Sequence, residues 1–192
     1  MGVSQGMSIF DRGTCLMKST LSSEIMGRRV GVDLSIWMYS FGRKYIRDIM
    51  LLNNHTNFIS ALLHAANVCR KFGSTMVFVA DNRGTPFAPK AHTDDARRTR
   101  SAAYYAKYEA TKEDKHLKAS FKVSSALQND VIVALRAQQF DVVIAPREAD
   151  HQLALMYHEG FIFSVMSPDT DQIVLGVERL ITITNIDQND KC

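Results

Sequence analysis

The stretch Phe140-Asp141-Val142-Val143-Ile144-Ala145-Pro146-Arg147-Glu148-Ala149-Asp150-His151-Gln152-Leu153-Ala154 is the most informative in the chain. Residues 140–145 form a short apolar run rich in β-branched side chains, which suits a strand covered on both faces. Pro146 interrupts the run. Residues 149–158 then place Leu153, Ala154 and Tyr157 on one face of a helix that Gly160 stops. Glu148 and Asp150 fall at the join. Strand, short loop, helix is the repeating unit of a doubly wound α/β domain.

The same unit recurs on either side. Arg29-Val30-Gly31-Val32-Asp33, residues 75–81, residues 161–166 and residues 180–184 read as further strands. Between them, residues 56–72 space Phe58, Leu62, Ala65, Ala66 and Cys69 as a helix ended by Gly73, and residues 123–138 repeat the pattern with Val123, Leu127, Val131 and Leu135. The predicted fold is therefore α/β, a doubly wound and mainly parallel sheet with helices on both faces. Residues 83–122 depart from it. Turn chemistry at Asn82–Pro86 leads into a basic, aromatic stretch over 96–108 with helix formers but little apolar face. It reads as an exposed, mobile helix projecting from the sheet.

The chain has 192 residues, 46% of them apolar, which matches one globular domain with an embellishment. It contains no run of about 18 apolar residues that would span a membrane, and its start lacks the pattern of a secretory signal. Cys15, Cys69 and Cys192 form no CxxC pair, so neither a zinc ribbon nor a disulfide framework is legible, and a reducing compartment is expected. The net charge of +3 is unevenly spread. Residues 1–82 carry nine Lys/Arg against five Asp/Glu and residues 83–122 ten against five, whereas residues 123–192 carry four against ten. Ordinary surface variation gives such a split; so does an anionic ligand held beside metal-binding carboxylates.

The acids carry the chemical signal. Asp33 and Asp81 end predicted strands, Glu148 and Asp150 follow a third, and Asp169 and Asp171 follow a fourth. Ligands of open α/β sheets bind outside the carboxyl ends of the strands. Six carboxylates delivered there repel one another unless cations intervene. Mg²⁺ takes oxygen ligands and keeps several waters. Two such ions roughly 4 Å apart activate a water and stabilise a leaving oxygen in phosphodiester hydrolysis. No His/Cys ligand set argues for zinc. Any one of these acids, Asp169 after Pro168 above all, also reads as a helix N-cap. Four acid-ended strands with two acid-x-acid pairs are harder to explain that way.

At these residues the chain resembles the FEN/XPG (Rad2-like) superfamily of structure-specific 5′ nucleases, whose fold is PIN-like. Met1-Gly2-Val3-Ser4-Gln5-Gly6-Met7 is similar to the family's MGIQGL start, residues 27–33 to its first acidic strand and residues 77–81 to its VFDG strand, with Asn82 where Gly is usual. Residues 145–154 are most similar to the exonuclease 1 branch, and residues 167–176 to the family's T-x-D-x-D-x-L-x-F-G. The resemblance implies that Asp33, Asp81, Glu148, Asp150, Asp169 and Asp171 are catalytic and bind two Mg²⁺ (or Mn²⁺) ions. It implies further that Lys90 and Arg97, seven residues apart, contact the scissile phosphate from a gateway over 83–122. Tyr39 would stack on the neighbouring nucleotide and Gly2 would pack near the substrate. Arg98 and Arg100 join the basic face.

The whole chain, 1–192, then reads as a single nuclease core without the G-x-D-Y acid and the helix-hairpin-helix that follow in the family, either an N-terminal fragment or a reduced relative. The implied activity is hydrolysis of DNA at 5′ ends or flaps in replication or repair, in the nucleus, with RNA not excluded as a substrate and no membrane partner. Protein partners are not legible. Two other readings remain open: a non-catalytic nucleic-acid or protein scaffold derived from the family, and an RNA-cutting PIN-type enzyme. Outside the resemblance, Tyr39 reads as core packing beside Trp37 and Phe41, and Arg97, Arg98 and Arg100 as a solvated helix face. Tyr104, Tyr105 and Tyr108 read as packing within the gateway, and His151 and His158 as ordinary histidines.

Overall fold

A computed structural model of the chain describes residues 25–82 and 91–181, without the side chains of 91–94. In chain order its elements are β1 (Arg29–Asp33), α1 (Leu34–Gly42), α2 (Ile46–Leu51), α3 (Thr56–Lys71) and β2 (Thr75–Ala80). There follow α4 (Ala91–Thr111), α5 (Asp114–Ser120), α6 (Ser125–Ala137), β3 (Asp141–Ile144) and α7 (Ala149–His158). The last are β4 (Ser164–Met166), α8 (Asp171–Val174) and β5 (Leu180–Ile181).

All strand pairings are parallel, in the order β3-β2-β1-β4-β5. The first strand therefore sits in the middle. The chain builds outward through β2 and β3, then returns to lay β4 on the other side of β1. Strand alternation feeds two cores. Val30, Val32, Met76, Phe78 and Ala80 pack with Leu34, Met38, Phe58, Leu62, Leu127 and Val131 from α1, α3 and α6. Val77, Val79 and Val165 face the opposite way, onto Ala149, Leu153 and Ala154 of α7. The expected doubly wound α/β sheet, with helices on both faces, is what the chain forms.

Gly31 sits on the α7 side of the central strand, where a Cβ would lie 2.5 Å from Ile162 Cδ1 and 2.7 Å from Leu153 Cδ2. The absence of a side chain lets α7 approach β1 closely.

Residues 149–158 form a helix over the expected span. β4 is shorter than expected, since residues 161–163 lie outside it; residues 182–184 lie outside the described residues. Helices α1, α2, α5 and α8 have no counterpart in the periodicity reading. α1 buries Leu34, Trp37, Met38 and Gly42 and has too few polar positions to display a face. The basic segment is helical, as expected, but its apolar face is aromatic. Tyr108 is buried, and the Tyr104 ring stacks on His116 of α5 with centroids 6.2 Å apart. Arg47 of α2 forks onto Asp114 at 2.7 and 3.0 Å, tying that hairpin to the domain. No helix among the described residues is long and apolar enough to cross a membrane.

Candidate active site at the carboxyl edge of the sheet

Parallel pairing brings every strand's carboxyl end to one edge of the sheet. β1 and β4 are the neighbours at which the order of winding reverses, the usual place for a crevice in such sheets. Asp33, the last residue of β1, is only 4% exposed. Its Oδ1 accepts the backbone N–H of Ile36 at 3.1 Å, so it also caps α1. Burial pushes its carboxyl up to about 7, the negative charge of Asp150 adds to this and that of Asp81 adds less, while the bond from Ile36 opposes it. Asp33, Asp81 and Asp150 are thus electrostatic neighbours, although they lie on three different segments.

Asp81 follows β2 and bridges two helices. Its Oδ2 accepts from Ser35 Oγ at 2.8 Å and its Oδ1 from the Ala149 backbone N–H at 2.8 Å. Its carbonyl accepts from Gln128 Nε2 of α6 at 2.9 Å. Asp150, in the first turn of α7, accepts at Oδ1 from Gln172 Nε2 at 2.8 Å. Gln172 is fully buried and so links α7 to α8. Glu148 is the N-cap residue of α7 and half-buried, with His151 Nδ1 3.7 Å from its Oε2. Asp169 follows β4. Its own N–H donates to Ser167 Oγ at 3.1 Å and its Oδ1 accepts from the N–H of Asp171 at 3.0 Å.

Asp33 caps the helix that follows its own strand, as the cap reading expects, whereas Asp81 accepts the first N–H of α7, a helix from a distant segment. Among the described residues no three of these carboxylates converge on one point as metal ligands. The donor set nonetheless fits a hard divalent cation. It consists of oxygens, and the repulsion from Asp150 and Asp81, which adds to burial in raising the Asp33 carboxyl, is what a cation between carboxylates removes.

Arg97, Arg98 and Arg100 are exposed on α4. Arg98 lies 3.7 Å from Asp95, one turn back. Tyr39 is half-buried on α1, and its ring meets Phe121 edge-on at 5.6 Å, while Trp37 takes Phe41 and Phe78. Tyr39 therefore packs, but against the segment after α5. Gly2 and Lys90 lie outside the described residues. His158 Nε2 is 3.0 Å from the Leu175 carbonyl, as an ordinary packing histidine. The supporting residues Ser35, Gln128 and Gln172 carry no signal in hydropathy. Only the nearness of Ser35 to Asp33 and of Gln172 to Asp171 marks two of them.

Residues 139–192 match the XPG I-region family. The chain is 25% identical over 179 residues to Exodeoxyribonuclease 1 of Schizosaccharomyces pombe, covering 86% of this chain and 30% of that protein. It is 28% identical over 185 residues to Flap endonuclease 1 of Chlamydomonas reinhardtii, covering 89% of this chain and 46% of that protein. Among solved structures, the catalytic core of Rad2 in complex with DNA substrate matches with a TM-score of 0.67 at 23% identity, over 98% of this chain and 51% of that one. The fold is that of the FEN/XPG nuclease core. The chain spans less than half the length of the two curated relatives it matches.

Proposed function

We propose that this chain is the core of a structure-specific 5′ nuclease, dependent on two Mg²⁺ or Mn²⁺ ions, that hydrolyses DNA phosphodiester bonds at 5′ ends or flaps in replication or repair, in the nucleus. The observation that carries it is the electrostatic meeting of Asp33, Asp81 and Asp150 at the carboxyl edge. In this reading Asp33, Asp81, Glu148, Asp150, Asp169 and Asp171 hold the ions. When bound, the ions supply an activated water and charge neutralisation at the leaving oxygen. The protein's own part is orientation. Ser35 and the Ala149 N–H fix the plane of the Asp81 carboxylate, and Gln172 fixes that of Asp150. Residues 83–122 form the gateway, from which Lys90 and Arg97 contact the phosphate and offset its developing charge, with Arg98 and Arg100 beside them. Tyr39 supplies the stacking ring and Gly2 packs near the substrate.

The test is cleavage of a labelled 5′-flap DNA in Mg²⁺. Asp81→Ala and Asp169→Ala are each expected to lower the rate at least about 100-fold. Cleavage that persists in both sinks the assignment. A second reading, a non-catalytic scaffold of the same descent, is favoured by one observation: both carboxylate oxygens of Asp81 already accept protein hydrogen bonds. Calorimetry separates the two, since a scaffold gives no heat with Mg²⁺ or Mn²⁺.

A further inference from the structure

We propose that the amino edge of the sheet, opposite the carboxylates, carries a second site that holds the phosphodiester backbone of a single nucleic-acid strand. A cavity of about 600 Å³ opens there, walled by residues that immediately precede β1, β4 and β5 and by the end of α7. On its wall two guanidiniums lie over the Phe163 ring, with Arg28 Cζ 4.3 Å and Arg179 Cζ 4.1 Å from the ring centroid. Neither arginine makes an ion pair among the described residues, whereas Arg29 beside them is bound to Asp141 at 2.8 Å. Glu178, also on the wall, is exposed.

The ring attracts each guanidinium, so two positive charges are held at one edge with no carboxylate paired to either among the described residues. Stacking leaves the planar N–H fork of each guanidinium available to two oxygens of a phosphate. The same wall carries Phe161, 61% exposed and large. A free phosphate uses the arginines and leaves Phe161 without a role. A strand uses both, with its backbone on Arg28 and Arg179 and a base stacked on the Phe161 ring. The site stands apart from the carboxylates, so its existence does not depend on the nuclease reading.

The experiment is fluorescence anisotropy of a labelled ten-residue oligo(dT) in EDTA. The background chain carries Arg97→Ala, Arg98→Ala and Arg100→Ala, so that α4 contributes little. Adding Arg28→Ala with Arg179→Ala is expected to weaken binding at least about 10-fold and to lower the slope of log affinity against log salt by about 1. Phe161→Ala, at an exposed position, is expected to weaken it at least about 5-fold with the slope unchanged. Affinity within twofold of the background in either variant overturns the proposal. So does displacement of the strand by 1 mM inorganic phosphate as complete as that by unlabelled strand, which marks a small-anion site. Because EDTA removes metal and the readout is binding, failure here is separate from failure of the cleavage test.

Discussion

Asp33 shows how one residue carries both structure and chemistry. Its carboxyl takes up a proton near pH 7 in the folded chain and near 3.8 in the unfolded one. Between those values the folded form binds more protons, so stability falls as pH rises from about 4 to about 7, and the penalty is complete above 7. Asp33→Asn keeps an oxygen for the Ile36 N–H and removes the charge. In EDTA at pH 8 it is expected to be more stable than the parent by on the order of 3 kcal/mol, with the gap closing near pH 4. Urea unfolding at the two pH values measures this, and equal stabilities at pH 8 would contradict it. Gln172 makes a complementary case. Gln172→Met removes the donor to Asp150 but also a buried carbonyl oxygen, Oε1, that has no hydrogen-bond partner among the described residues. Its stability is expected to change by less than about 1 kcal/mol, while Mn²⁺ affinity by calorimetry falls roughly 10-fold. An unchanged affinity would remove Gln172 from the support of the site.

Among the elements, α7 and the central strand are the critical pair. α7 presents Glu148 and Asp150, and it reaches Asp33 because Gly31 leaves no side chain beneath Leu153 and Ile162. Gly31→Ala forces those two side chains aside, and thermal unfolding is expected to report a loss of about 1–3 kcal/mol. A neutral substitution would mean that α7 is free to move away from the sheet. Helix α7 was legible because its apolar residues keep one face and glycine closes it. Helix α1 was not, because Leu34, Trp37 and Met38 are buried within a segment that is apolar nearly all round. A segment of that kind shows no period. The basic helix α4 is legible as a helix and its tyrosines as a packing face, but not their partner, since nothing in the spacing relates Tyr104 to His116 of α5.

At the scale of the molecule, the sheet separates two surfaces of opposite character. The carboxyl edge gathers acids, and the amino edge gathers Arg28 and Arg179 around Phe163. If the carboxylates hold cations, binding couples to folding. Saturating Mn²⁺ at about 100 times its dissociation constant is expected to add roughly 2.7 kcal/mol, which raises the melting temperature by several degrees. EDTA should reverse the shift and Asp81→Ala should abolish it. No shift with Mg²⁺, Mn²⁺ or Ca²⁺ would hand the chain to the scaffold reading.

The sequence by itself determined the parallel α/β class and the placement of six acids after strands. Hydrophobic periodicity records burial along the chain, and the punctuation between runs records where a strand gives out. It could gather Asp33 and Asp150 at one edge but not give their burial or partners, nor say that Arg28 and Arg179, some 150 residues apart, would close on one phenylalanine. Those meetings depend on strand order. Laying β4 beside β1 brings together segments that no local spacing relates, and only the packed sheet fixes the distances through which charges act.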